Sequence, residues 1–275
     1  MRSLRKRWFC NSALAGAILI PLGACFADAQ ITLTGTALTV TDNPRPVMQA
    51  ALQLMAKYGY VITYEEPIDL YSKDTKDVTR ERRDFRSFAP GRAPKVLSPV
   101  GGSIQLTLPD GTDKGAVDGA LQQLVQSWVD SNQGGAHFRV EEENDMFHIV
   151  PTEIRGHDGN WKEVQSILST PISLPAESRT EHDLFRAICT SLREKVGVKV
   201  VLALNGGFVV GPPDSRQYVL GAQDEPADRV LLHAFNLMGE KMTWILTYEP
   251  TGHVYFLNLD DIRTMPKQMI WPPAI

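Results

Sequence analysis

Four times along the chain, an amphipathic stretch of helical period gives way to an extended run rich in β-branched and aromatic residues. In the first segment Val47, Ala50, Ala51, Leu54 and Tyr58 share one helical face. Pro44 and Pro46 suit the entry of that helix and Gly59 its end, and 60–64 reads as a strand. In the second, Val117, Ala120, Leu121, Leu124 and Trp128 form the stripe, and 137–140 and 146–150 alternate like the arms of a hairpin. In the third, Thr180 and Asp183 resemble a capping box. Leu184, Phe185, Ile188, Leu192 and Val196 follow as the stripe, Gly197 stops it, and 198–204 is extended. Asn205-Gly206 then signals a turn with 208–210 returning. In the fourth, Val230, Leu231, Ala234 and Met238 make the stripe, and strands over 243–248 and 253–259 flank a turn at 249–252.

Short extended runs at 37–40, 103–108, 172–174 and 217–220 precede the four helices. A single short helix cannot bury its stripe alone, and an isolated hairpin is marginal in water. The pattern therefore predicts an α+β fold made of two tandem small two-layer αβ sandwiches. Each is β-α-β-β-α-β-β, with two helices packed on a small sheet. The boundaries expected are a first unit over 37–152 with an insertion at 67–101, a polar linker at 153–169, a second unit over 170–262 and a C-terminal tail at 263–275. A single α+β domain whose halves are alike by coincidence is the competing reading.

The first unit resembles the secretin and TonB N-terminus short domain. The resemblance is carried by Ala51-Leu52-Gln53-Leu54-Met55-Ala56-Lys57-Tyr58-Gly59 with its following strand, by Ala120-Leu121-Gln122-Gln123-Leu124, and by the closing strand 147–151. The second unit keeps the order of elements with poorer agreement in motif. The resemblance implies a non-catalytic interaction or accessory module of the bacterial cell envelope, in the periplasm or associated with the outer membrane. It further implies an envelope protein partner that the sequence does not identify. The 35 residues from 67 to 101 stand where that family has a short connection.

The N-terminus agrees with such a location. Arg2, Arg5, Lys6 and Arg7 precede an apolar run interrupted by Pro21, and Ala27-Asp28-Ala29 is a small-x-small triplet before Gln30. This reads as a signal peptide over 1–29, too short for a comfortable membrane span. Cleavage after Ala29 is the preferred reading. The alternative is a lipoprotein, because Leu22-Gly23-Ala24-Cys25 resembles a lipobox and would make Cys25 a lipidation site and the only membrane attachment. Four basic residues and one acid lie in 1–29, so a chain of net charge −4 becomes one of about −7 after cleavage, with no global pull toward nucleic acid. Of Cys10, Cys25 and Cys189 only the last would remain, leaving no intrachain disulfide; in a helical stripe it reads as a small buried residue.

Catalytic constellations are sparse. No Gly-x-Ser-x-Gly, His-Glu-x-x-His or phosphate-loop motif occurs, and the six histidines show no metal-ligand spacing. No catalytic residue, metal site or cofactor is assigned. The pairs Glu65-Glu66 and Asp260-Asp261 and the triplet 141–143 sit at strand ends or turns. Neighbouring strand residues point to opposite faces, so these carboxylates read as solvated turns rather than convergent acids.

The charge anomaly is the insertion, with eight basic residues against five acids between 67 and 100 and two interleaved phenylalanines. Arg80, Arg82, Arg83, Phe85, Arg86 and Phe88 are therefore the candidate interaction loop for an acidic partner or anion. A flexible solvated excursion is the plainer reading. The alternative functions are a ligand-binding sensor, or a hydrolase with its site between the two units.

Overall fold

A computed structural model describes residues 30–68, 71–82, 84–89, 91–203 and 216–263. Its elements run β1 (Gln30–Thr34), β2 (Ala37–Asn43), α1 (Pro46–Tyr58), β3 (Val61–Glu65), β4 (Thr75–Asp77), β5 (Leu97–Pro99), β6 (Gly102–Thr107), α2 (Lys114–Ser131), β7 (Ala136–Glu143) and β8 (Met146–Arg155). They continue β9 (Trp161–Glu163), β10 (Pro171–Arg179), α3 (Glu181–Val196), β11 (Lys199–Ala203), β12 (Tyr218–Pro226), α4 (Ala227–Met238), β13 (Met242–Glu249) and β14 (Val254–Asp261). The fold is α+β, as the helix and strand periods predict. The proposed signal segment 1–29, with Cys25, lies outside the described residues, as do the turn and return strand expected at 205–210.

The helix ends follow local chemistry. Asp113 and Thr180 accept the backbone N–H groups of Ala116 and Asp183, satisfying donors that the first turns of α2 and α3 leave unpaired. Helices α1, α3 and α4 stop at Gly59, Gly197 and Gly239 in the left-handed region, where a missing Cβ removes the steric cost. Helix α1 is buried on nearly every side, Gln49 and Gln53 included, unlike the one-sided α2 and α3.

The two halves repeat one set of strand pairings. In the first, β2 pairs with β6 antiparallel, β3 with β8 parallel and β7 with β8 antiparallel. In the second, β10 pairs with β12 antiparallel, β11 with β14 parallel and β13 with β14 antiparallel. The halves do not remain separate layers. β13 runs parallel to β3, with Ile245 opposite Tyr64 and Leu246 opposite Glu65. One sheet in the order β11-β14-β13-β3-β8-β7, with β9 as a seventh strand on β8, passes through both halves.

Alternation along this sheet sorts the cores. Ile62, Tyr64, Phe147, Ile149 and Ile245 join the core of α1 and α2, whereas Trp244, Leu246, Tyr248 and Leu257 join the core of α3 and α4. Because Ile245 and its neighbours on β13 point to opposite faces, the two helix pairs lie on opposite sides of the shared sheet. Burying each large side chain, such as Leu54, Phe147 or Phe185, contributes about 1.5–3 kcal/mol.

The segment 153–169 is not a bare linker. β8 continues through the expected boundary to Arg155, β9 pairs back on it, and a short 3-10 turn at Ile167–Ser169 buries Leu168 in the second core. Its polar composition reflects half-exposed strands rather than freedom from the fold.

Candidate functional site

Where β3 ends, two adjacent carboxylates sit inside the protein, against the expectation of a solvated turn. Both are buried. Arg45, at the entry of α1, donates through Nε to both oxygens of Glu66 at 3.0 and 2.8 Å. Its Nη2 donates to the Tyr248 carbonyl at 2.6 Å, and the Tyr248 N–H donates to Glu66 at 2.7 Å. The Glu66 N–H in turn donates to the Leu246 carbonyl at 2.9 Å. A side-chain ion pair thus extends the β3–β13 ladder past its last backbone partners. Glu65 projects the other way. It accepts from the Ser166 hydroxyl at 2.6 Å and from the Ile167 N–H. Burial, with Asp228 as a further negative neighbour, raises its carboxyl to about 7 despite those bonds.

The insertion grows from this corner. Its β4–β5 hairpin holds Val78 and Val96 buried, and Val78 N–H donates to the Val96 carbonyl at 2.9 Å. Two anchors fix it. Asp74 meets Arg155 of β8 at 3.0 Å, and Tyr71 lies 5.7 Å from the same guanidinium. On the other side Leu97 N–H donates to the Thr251 hydroxyl at 2.8 Å, in the turn between β13 and β14. The insertion therefore touches both halves. Gly135 admits it: a Cβ there would fall inside the Asp74 carboxylate, while the neighbouring Gly134 makes room for the Trp128 ring of α2.

Arg80, Arg82, Phe85, Arg86 and Phe88 do not act alike. Arg82 grips Asp84 through two bonds of 2.8 and 2.6 Å and lies 5.4 Å over the Phe88 ring, so both are structural. Phe85 is half-buried. Arg80 and Arg86 are exposed, together with Lys73, Lys76, Arg92 and Lys95. Arg83 lies outside the described residues. Asp77 is turned back on Thr79, whose hydroxyl and N–H hold its carboxyl below the usual range.

Beneath the insertion, a cavity of about 50 Å³ opens between Arg45, Glu66, Asp74, Trp128, Gly135 and Phe138. It has room for a few waters or one small head group. The histidines are dispersed. His148 is buried, its Nδ1 2.8 Å from the Thr63 hydroxyl and its ring stacked 5.2 Å from Trp244; burial pushes its pKa down to about 4. His137 pairs with Glu153 at 2.9 Å and stacks on Trp161. Among the described residues no three His, Cys, Asp or Glu side chains are grouped to hold a metal ion. Cys189 is buried in the second core, which pushes its thiol up to about 12.

The sequence reading missed Arg45, Glu66, Asp74 and Arg155. Arg45 between Pro44 and Pro46, and two carboxylates closing a run of β-branched and aromatic residues, are the signals that mark the first two. No protein-family description, curated protein or solved structure matches the chain.

Proposed function

We propose that this protein is a non-catalytic interaction module exported to the bacterial cell envelope, and that the insertion is its docking element. The observation that carries this reading is the anchoring of the insertion to both halves, through Asp74–Arg155 and Leu97–Thr251, while six basic side chains stay exposed. A segment of this length without large secondary elements is usually functional or disordered, and this one is tied down. In a chain that is acidic elsewhere, exposed Lys73, Lys76, Arg80, Arg86, Arg92 and Lys95 form a local positive surface that attracts an acidic partner. The likeness of 51–59 and 120–124 to the secretin and TonB N-terminus short domain, and the signal-like 1–29, support the envelope location.

The test is crosslinking in envelope fractions with wild type and with Arg80→Glu combined with Arg86→Glu. Recovery of an acidic partner by wild type, weakened by salt and abolished by the charge reversal, is expected. Equal recovery by both proteins, or none by either, refutes the docking role. A second reading, a small-ligand sensor, draws on the cavity beside Arg45 and Asp74. Thermal stabilisation by small anions that Arg45→Met removes is its signature.

A further inference from the structure

The long sheet ends in the counterparts of the two strands that meet at its centre. β13, which follows the second helix of its half, has β7 as its counterpart. β3, which follows the first helix, has β11. At the centre β13 accepts β3 in parallel. Among the described residues β7 pairs on one side only, with β8, and β11 on one side only, with β14. The molecule therefore carries, at its two ends, both halves of a joint it already makes internally.

The registers can be superposed. Val61 faces Met146 in one half as Lys199 faces Val254 in the other. Ile245 faces Asn258 as Arg139 faces Val150. The internal pairs Ile245–Tyr64 and Leu246–Glu65 then map onto Arg139 against Leu202 and Val140 against Ala203. Ala136 and Val140 on β7, and Val201, Leu202 and Ala203 on β11, are half-buried rather than fully solvated. Among the described residues these two edges carry no second strand, and open strand edges are templates for strand addition.

We propose that the chain self-associates head to tail, the β7 edge of one copy adding in parallel to the β11 edge of a second. This stands independently of the role given to the insertion. Parallel pairing of β13 with β3, beside antiparallel β13–β14, reverses strand direction from one half to the next, and the helices change face with it. Repeating that step gives a heterologous contact, in which copies add in line rather than closing as a symmetric pair. The internal joint has reinforcements that the external one lacks. Glu66 and Arg45 clamp Tyr248, and the Thr243 hydroxyl donates to the Ile62 carbonyl. The counterpart of Arg45 is Thr180, already used as a helix cap on Asp183. Contact between copies then rests on the backbone ladder and edge side chains, so it is reversible.

Sedimentation of the full chain over a range of concentrations is the first test, with growth beyond a dimer expected. Val140→Pro and Leu202→Pro each block one edge; because every contact joins a β7 edge to a β11 edge, either variant alone is expected to be monomeric, whereas a mixture of the two pairs into dimers through its intact edges, with circular dichroism confirming the fold. Should proline unfold either edge, cysteine pairing supplies the same information. In a background with Cys10 and Cys25 replaced by serine, Val140→Cys and Ala203→Cys chains oxidise to a disulfide dimer when mixed but not when separate. A wild-type chain that stays monomeric at every concentration overturns the proposal. So do single-cysteine chains that crosslink with themselves as readily as with each other.

Discussion

Replacing Glu66 by leucine removes the acceptor at the centre of the β3–β13 clamp while roughly keeping its volume. The Arg45 side chain is 3% exposed and that of Glu66 9%, so the guanidinium left behind is desolvated and loses its ion pair with Glu66. The Tyr248 N–H loses its acceptor as well. Breaking a buried ion pair from one side costs about 3–5 kcal/mol, because an uncompensated charge stays inside. At about 2–4 °C per kcal/mol for a chain of this size, the melting temperature should fall by roughly 6–20 °C. Arg45→Met is expected to cost less, since the orphaned carboxylate still accepts from Tyr248 N–H. The double variant should recover much of the loss, because two apolar side chains of similar volume replace the pair at little net cost. Urea titrations of the four proteins give the coupling energy directly, and it should exceed about 1.5 kcal/mol. Single variants within about 0.5 kcal/mol of wild type, or costs that simply add, would refute the account of the clamp.

Glu65 should reverse the usual pH trend of a carboxylate. Its folded pKa of about 7 lies above the unfolded 4.5, so the folded state binds the proton more tightly. Its stabilising contribution is full below about 4.5 and is lost as pH rises through 7, a difference on the order of 3 kcal/mol. Glu65→Gln should flatten that slope and gain most at pH 8, and parallel pH–stability curves for the two proteins would show the reasoning wrong. Gly135→Ala sets a methyl group against Asp74 and should cost about 1–3 kcal/mol while releasing the insertion, read as faster proteolysis within 71–99. Cys189, with its thiol near 12, should resist a thiol reagent at pH 8 until denaturant is added; rapid labelling of the native chain in the Cys10→Ser, Cys25→Ser background would contradict its burial.

The helices were legible because their signals are local. The stripe of 47–58, the cap at Thr180 and the stops at Gly59 and Gly197 act within one or two turns. The paired strands, read at 137–140 and 146–150 and observed at 136–143 and 146–155, were legible for the same reason: one turn fixes their register. The joint was not legible. Tyr64 and Ile245 are separated by most of the chain, and nothing in either strand's period says which edge meets which. The insertion was legible as a charge anomaly, but not as an anchored element, because its two anchors are single contacts to Arg155 and Thr251. Arg82 and Phe88 looked like free recognition groups, and proved to satisfy Asp84 and each other.

The alternation rule argues against Glu65 and Glu66 as convergent acids, and the same rule explains what they do. Neighbouring strand positions face opposite sides of a sheet. Here the two sides belong to different cores. Glu66 points with Tyr64 toward α1, where Arg45 waits beside the Tyr248 backbone. Glu65 points with Thr63 toward the second core, where Ser166 and Ile167 lead into the buried Leu168. One carboxylate ties β3 to the strand added at its edge, the other to the segment that carries the chain across. A dipeptide that cannot work as a catalytic pair is, for that geometric reason, placed to hold two half-molecules to one strand. Burial raises the Glu65 carboxyl to about 7, and among the described residues no cation bonds it, so its tie is the one that weakens as pH rises. Raising the pH should therefore loosen the crossing segment before the β3–β13 ladder. Amide exchange at Ile167 and Leu168 that accelerates with pH beyond the intrinsic trend, while Tyr248 stays protected, is the expected signature; equal acceleration at both sites would mean the two ties are not separable.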